Sequence, residues 1–160
     1  MVRMQVTKVG LDPRRVPFVL LSDEGGRRML PIWIGAFEAN AIATELQGKT
    51  FPRPLTHDLL CSVVTRLGFE IAEVSVTRIE DSTYYALLHL RCGARTVEID
   101  CRPSDAIAIS LRCGAPIFVA EEVLELHEAN EEVERFRDLL QGIEPELGES
   151  DLDLPPEPDA

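Results

Sequence analysis

One short run of this 160-residue chain holds two carboxylates, a guanidinium and a hydroxyl, on Asp100, Arg102, Ser104 and Asp105. The run lies where a strand is expected to give way to a helix. Pro103 suits the first turn of that helix, because a helix does not use the N–H group of its first residue. A helix N-terminus attracts anions, and an adjacent guanidinium strengthens the attraction. The run therefore predicts an anion-binding junction.

A second junction upstream, between Arg53 and Leu60, has similar chemistry. Thr56 is predicted to cap the helix that follows, and Asp58 is an acidic first-turn residue of the kind that the helix dipole favours. His57 lies near the first helical position and has polar neighbours. Of the three histidines in the chain, His57 is therefore the one best placed to act in a site.

These residue types fit a metal-assisted phosphodiesterase, which needs carboxylates for Mg²⁺ or Mn²⁺, a base for water and cations for the phosphate. The candidates are His57, Asp58 and Asp105 for catalysis, Arg53, Arg102 and Ser104 for substrate binding, and Asp100, Asp105 and Glu38 for the metal. The prediction is that the two junctions face each other across a single cleft. No nucleotide-binding loop, serine elbow or zinc-protease motif accompanies them.

The same residues also have a structural interpretation. Asp58 and Asp105 are favourable at helix N-termini in any case, and Arg53 and Arg102 would fix the junctions by pairing with them. Glu38 in a first helical turn needs no explanation beyond the helix dipole. Ion pairs that only stabilise a fold use the same residue types as a catalytic site. Both interpretations therefore stay open at this point.

Length and composition favour one domain with a substantial core. The net charge of −12 is unevenly spread. Residues 1–120 contain 14 Lys and Arg against 13 Asp and Glu, whereas residues 121–160 contain 2 against 15. The near-neutral body is compatible with phosphate binding, and the acidic end will repel nucleic acid. No basic stripe with interleaved aromatic residues is present, so sequence-specific readout of nucleic acid is not expected.

Neither a signal peptide nor a membrane-spanning segment is recognisable, which predicts a cytoplasmic protein without membrane association. The four cysteines, at positions 61, 92, 101 and 113, show no spacing typical of zinc sites. We expect all four to be reduced. Trp33 is expected in the core or at a subunit interface. The opening strands contain more apolar residues than one small core can bury. Self-association, at least as a homodimer, is therefore predicted.

Hydrophobic periodicity predicts an α+β fold in which an antiparallel-rich mixed sheet packs against helices. The expected strands are 2–9, 16–22, 28–34, 69–79, 83–92, 95–102 and 116–119, and the expected helices are 36–47, 56–67 and 103–112. The helix at 56–67 is expected to bury Leu59, Leu60, Val63, Val64 and Leu67. In the 83–102 hairpin, a two-residue loop would place Ala86 opposite Cys101 and His89 opposite Glu98.

The predicted organisation is a domain at 1–125, an acidic amphipathic helix at 126–142 and a disordered tail at 143–160. The tail is rich in Pro, Glu and Asp and poor in large apolar residues. His127 falls in the acidic helix and is expected to be solvated.

Several ordered motifs make residues 1–125 resemble the bifunctional nuclease domain family. They are Leu30-Pro31-Ile32-Trp33-Ile34-Gly35 with Glu38-Ala39 and Ile42, Arg53-Pro54-x-Thr56-His57-Asp58-Leu59, Leu67-Gly68, Asp100-x-Arg102-Pro103-Ser104-Asp105-Ala106-Ile107-Ala108, and Pro116-Ile117-x-Val119. The resemblance implies an α+β domain that is usually oligomeric and an activity on DNA and RNA, as reported for plant members. Two hypotheses follow: a nuclease-like phosphodiesterase of low sequence specificity, or a non-catalytic oligomeric module that binds a phosphorylated ligand or a protein partner.

Overall fold

A computed structural model describes residues 1–129 and residue 138. Seven strands form one sheet: β1 (Val2–Leu11), β2 (Pro17–Asp23), β3 (Met29–Trp33), β4 (Glu70–Glu80), β5 (Thr83–Cys92), β6 (Arg95–Cys101) and β7 (Ile117–Val119). Four helices accompany it: α1 (Ala36–Leu46), α2 (Thr56–Arg66), α3 (Pro103–Cys113) and α4 (Glu121–Glu128). None of these helices is long and apolar enough to span a bilayer.

The strand order is β3-β2-β1-β7-β4-β5-β6. Two antiparallel meanders, β1–β3 and β4–β6, are joined through the short strand β7, which pairs antiparallel with β1 and parallel with β4. The sheet is thus mixed and mostly antiparallel, and the α+β prediction is confirmed. The hairpin register is also confirmed, since Ala86 pairs with Cys101 and His89 with Glu98.

Helix α3 is the most deeply buried helix and contacts both the sheet and the helices α1 and α2. Small and branched residues line it, and Ala106, Ile107 and Ala108 are almost fully excluded from solvent. Alanine side chains permit close approach of neighbouring elements, so α3 can occupy the middle of the helical layer. The helix ends at Gly114, whose positive φ of 68° is the left-handed conformation that glycine adopts without strain.

The prediction for the buried face of α2 is wrong for every residue except Val64, which packs against the core. Its exposed large apolar side chains are Leu59, Leu60, Val63 and Leu67, and Leu67 is 72% exposed. The stripe that packs inward is His57, Cys61 and Val64, spaced i, i+4 and i+7. Two stripes of this helix could pack inward. The stripe that contains His57 does so because Asp105 on α3 supplies a polar partner for the buried imidazole. The N-cap is Leu55, not the predicted Thr56.

The last described helix also departs from expectation. Helix α4 begins at Glu121, so the predicted domain boundary near residue 125 falls inside a helix. His127 is buried rather than solvated, and its Nδ1 lies 3.0 Å from the hydroxyl of Tyr84. The predicted continuation of the helix to residue 142 and the tail at 143–160 lie outside the described residues, apart from residue 138.

Candidate functional site

A chain of four side chains connects the N-termini of three helices. The Nε2–H of His57 donates to Oδ1 of Asp105 over 2.9 Å. The other oxygen of Asp105 accepts from Nε of Arg102 at 2.8 Å. The guanidinium of Arg102 also binds Oε1 of Glu38 at 2.8 Å. Residues far apart in sequence, on α1, α2 and α3, thus form one continuous polar network.

Each member of the network is positioned by a helix start. Arg102 is the N-cap of α3, and Pro103 occupies the first turn as predicted. Asp105 and Glu38 are the acidic first-turn residues of α3 and α1. Such residues direct their carboxylates toward the helix N-terminus, where the dipole favours negative charge. The three helix starts therefore bring their charged side chains to one place.

The second ion pair of the site joins Asp58 to Arg112, near the end of α3. Asp58 accepts from Nε of Arg112 at 2.8 Å, and its other oxygen accepts the backbone N–H of Leu55. The side chain of Arg112 is only 6% exposed and also donates to the carbonyls of Ala108 and Ala41. Arg112 thus ties α1, α2 and α3 together. Its buried position and its partners indicate a structural role.

Two carboxylates at the site, on Asp105 and Asp58, are held in their ionised form. Burial alone would raise the pKa of Asp105, but the hydrogen bonds from Arg102 and His57, together with their charges, lower it overall. For Asp58, burial likewise opposes the hydrogen bonds from the Leu55 N–H and Arg112, and the net pKa is lowered. An ionised Asp105 can only accept hydrogen bonds, so the proton between it and His57 belongs to the imidazole.

Access to solvent differs sharply among these groups. The Arg102 side chain is 66% exposed, so a phosphate can reach it. The His57 side chain is 10% exposed, so only an edge of the ring is accessible. Two carboxylates, Glu38 and Asp105, face one guanidinium, Arg102. The network therefore carries an excess of negative charge unless His57 is protonated or another cation binds.

A cleft of about 400 Å³ opens beside the network. Arg102 and Ser104 line one side, and the aromatic residues Trp33 and Tyr84 also line it. Trp33 is partly exposed and its indole N–H donates to Asp12 at 3.1 Å. The cleft thus combines a cationic group with aromatic surface, a combination that suits the phosphate and base of a nucleotide.

Not every predicted site residue joins this network. Asp100 is exposed on β6, opposite Leu87. Arg53 is exposed in the loop before α2 and forms no ion pair with any residue that the structure describes. Ser104 lines the cleft but is largely buried. The two junctions do meet, through His57, Asp105 and Arg102, while Asp100 and Arg53 lie outside the hydrogen-bonded core of the site.

The metal candidates do not form an ion-binding cluster. Within residues 1–129 and 138, no group of three or more His, Cys, Asp or Glu side chains is arranged to hold a metal ion. Asp105 places both oxygens on His57 and Arg102, and Glu38 is bound by Arg102. The arrangement therefore fits the guanidinium, not a divalent ion, as the cation between Asp105 and Glu38. The metal assignment of Asp100, Asp105 and Glu38 stays a prediction.

Two features of the site were missed in the sequence. Arg112 is only the last residue of the predicted helix 103–112, and its burial depends on the packing of three helices. Tyr84 was counted only as a strand residue. Its place beside Trp33 and Arg102 arises because the β4–β5 turn lies near the start of α3. No local pattern signals either contact.

Comparison with known proteins finds similar sequences over most of the chain. The bifunctional nuclease domain model matches residues 19–132. An uncharacterized protein of Mycobacterium tuberculosis is 39% identical over 160 aligned residues, which cover 89% of this chain and 96% of that protein. The chain therefore belongs to the bifunctional nuclease domain family.

Plant relatives share a shorter region. Bifunctional nuclease 1 of Oryza sativa subsp. indica is 30% identical over 108 residues, which cover 66% of this chain and 33% of the plant protein. Bifunctional nuclease 2 of Arabidopsis thaliana is 32% identical over 104 residues, 63% of this chain and 32% of its own length. This chain thus aligns with about one third of each plant protein.

Proposed function

We propose that the protein is a nuclease-like phosphodiesterase that hydrolyses DNA or RNA with little sequence preference. The observation that carries the proposal is the 2.9 Å hydrogen bond between His57 and Asp105, whose other oxygen binds the exposed Arg102. An imidazole held by a carboxylate is a common device for general acid–base catalysis, and a guanidinium is a preferred phosphate ligand. Family membership and the plant nucleases point to the same chemistry.

In this proposal each residue has a distinct role. Asp105 orients the His57 ring and fixes its tautomer, as a carboxylate does for a catalytic histidine. His57 removes a proton from the attacking water or supplies one to the leaving oxygen. Arg102 binds a non-bridging oxygen of the phosphate and stabilises the charge that develops there. Trp33 and Tyr84 offer aromatic surface for a neighbouring base.

The excess of negative charge at the network opposes the binding of a phosphate. Glu38 and Asp105 already neutralise Arg102, so an incoming phosphate competes with them for the guanidinium. Exposed Arg53, in the loop before α2, is the second cation proposed to bind substrate. A divalent ion is the other proposed source of positive charge, although no three candidate ligands converge within the described residues. The roles given to His57, Asp105 and Arg102 do not depend on that ion.

A second candidate function is a non-catalytic module that binds a phosphorylated ligand or a protein partner. One observation favours it: each carboxylate of the network already has a cationic partner, as in a purely structural ion-pair cluster. Such a module would bind nucleotides or short oligonucleotides without cleaving them.

A cleavage assay with the purified full chain separates the two functions. Single- and double-stranded DNA and RNA are incubated with wild type, with added Mn²⁺ or Mg²⁺ and with a chelator. We expect cleavage that Arg102→Gln reduces at least about tenfold, because a charged hydrogen bond to the phosphate is lost. Binding without cleavage in every condition would favour the module. Activity that appears only with added metal would support the prediction of a divalent ion.

We also propose that the chain forms a homodimer or a larger homo-oligomer. The support is the apolar stripe on α2, made of Leu59, Leu60, Val63 and Leu67, which are all exposed. Contiguous exposed apolar surface of this kind commonly marks an interaction site.

A further inference from the structure

Two cysteine sulfurs from different helices lie in contact. Sγ of Cys61 on α2 and Sγ of Cys113 at the end of α3 are 2.8 Å apart, although 52 positions separate them in the chain. Both thiols are free. A disulfide needs its sulfurs about 2.05 Å apart, so bond formation requires an approach of less than about 1 Å. The pair is therefore close to the spacing of a covalent cross-link.

The surroundings of the pair give an oxidant access. A cleft of about 670 Å³ opens beside the two sulfurs, and Cys61, Arg66, Arg112 and Cys113 are among the residues that line it. Cys113 is exposed and Cys61 is partly buried. Burial and the neighbouring Cys113 sulfur raise the pKa of Cys61 to about 12, so Cys61 keeps its proton at neutral pH. The thiol that a soluble oxidant meets first is thus Cys113.

We propose that Cys61 and Cys113 are a peroxide-sensitive modification site that closes to an intramolecular disulfide. The Cys113 thiolate attacks one oxygen of hydrogen peroxide, an S–O bond forms, the O–O bond breaks, and the departing hydroxide takes up a proton to give water. The Cys61 sulfur then attacks the Cys113 sulfenic acid. An S–S bond forms, the S–O bond breaks, and the Cys61 proton leaves with the hydroxide as a second water. The two thiols lose two electrons, which reduce the peroxide.

The position of the pair links this chemistry to the rest of the molecule. Cys61 follows His57 by one helical turn, and Cys113 follows Arg112 directly. The contacts that already join α2 to α3 include His57 with Asp105 and Asp58 with Arg112. A disulfide adds a covalent link between the same two helices and fixes their separation. This inference does not rest on the proposed function, because thiol oxidation is measured without substrate.

The test is peptide mapping of the full chain after graded hydrogen peroxide, with Cys92 as an internal control because it is exposed and outside the pair. We expect a peptide linking Cys61 to Cys113, an intact mass lower by two hydrogen atoms, and full reversal by dithiothreitol. The thermal midpoint should rise by several degrees on oxidation, since a cross-link restricts the unfolded chain. Cys92→Ser should behave as wild type, and Cys113→Ser should form no such link.

Cys61→Ser gives a second, independent check, because serine differs from cysteine in one atom and leaves Cys113 exposed. In this variant Cys113 should gain oxygen atoms instead of forming a disulfide, since its sulfenic acid has no resolving thiol. The proposal is overturned if wild-type Cys113 accumulates oxygen without the link, or if Cys92 reacts as fast as Cys113. Dimers cross-linked through Cys113 in place of the internal link would overturn it as well.

Discussion

His57 and Asp105 share a hydrogen bond of 2.9 Å although 48 positions separate them in the chain. The bond joins the first turns of α2 and α3, and it explains why a histidine is the most buried residue of α2. Burying a polar ring without a partner is costly, so the bond is needed for that packing. The contact that orients the candidate acid–base group also holds two helices together.

Replacing Gly35 with alanine should free Arg102 from one of its two carboxylates. A Cβ at position 35 would overlap Oε2 of Glu38, so the Glu38 carboxylate must move away. One carboxylate fewer then neutralises the Arg102 guanidinium, so a phosphate is attracted to it more strongly. We expect single-stranded DNA to bind more tightly to Gly35→Ala, by roughly threefold at low salt. Fluorescence anisotropy measures the change.

The matched variant for that experiment is Glu38→Gln, which removes the same charge directly. Because both substitutions act on one ion pair, the double variant should bind no more tightly than either single variant. Additive effects would show that Gly35 acts by another route.

Removing the buried guanidinium of Arg112 should destabilise the fold. Arg112→Met leaves Asp58 without its cation and removes the guanidinium donors to the carbonyls of Ala41 and Ala108. We expect the free energy of unfolding to fall by about 2–4 kcal/mol, as for other broken buried ion pairs, with the lower end favoured because Asp58 is partly exposed. Urea denaturation measures this change. Arg66→Met is the control, and this exposed residue should cost less than about 0.5 kcal/mol.

Acid should weaken the fold through Asp58 and Asp105. Both carboxyls have a pKa below the ordinary value of 3.8, so the folded state holds their protons less tightly than the unfolded chain does. Their stabilisation is complete above pH 3.8 and is lost as the pH falls through the lowered folded values. The free energy of unfolding of wild type should therefore drop more steeply below that pH than that of Asp58→Asn. Parallel acid profiles for the two proteins would contradict the lowered pKa of Asp58.

Charging the apolar stripe of α2 should separate the subunits. Leu60→Glu and Val63→Glu place carboxylates on a surface that is exposed in the single chain, so the monomer fold should tolerate both. Light scattering should show a homo-oligomer for wild type and a monomer for the double variant. A wild type that is monomeric at micromolar concentration would refute self-association, and an oligomer that survives both changes would place the interface elsewhere.

Local sequence patterns predicted the elements and part of the site. Alternating apolar residues and the Gly93-Ala94 turn determine the β5–β6 register, and Pro103 marks the start of α3. These signals work because each depends on residues that are neighbours in the chain. Of the residues expected to face one cleft, the structure brings His57, Asp105 and Arg102 together through hydrogen bonds.

What the sequence did not predict depends on tertiary packing. Either of two stripes on α2 could pack inward. The stripe with His57 does so because Asp105 on α3 bonds the imidazole, and this contact is not visible in the sequence. The Asp58–Arg112 ion pair and the Cys61–Cys113 contact each join residues more than 50 positions apart. No periodicity in the sequence indicates either contact. His127 was assigned to solvent from its acidic neighbours, but the Tyr84 hydroxyl lies within hydrogen-bond distance of its buried ring.

We propose that His57, held by Asp105, performs proton transfer during phosphodiester hydrolysis. The most direct measurement compares cleavage rates of His57→Gln with those of His89→Gln at equal folded concentration. His89 is the matched control, because it also bonds a carboxylate and a hydroxyl, on Glu98 and Ser75, but lies on the sheet away from the network. We predict that His57→Gln loses about 10²–10⁴-fold in rate while still binding DNA, and that His89→Gln keeps the wild-type rate. Equal rates for His57→Gln and wild type would contradict the claim.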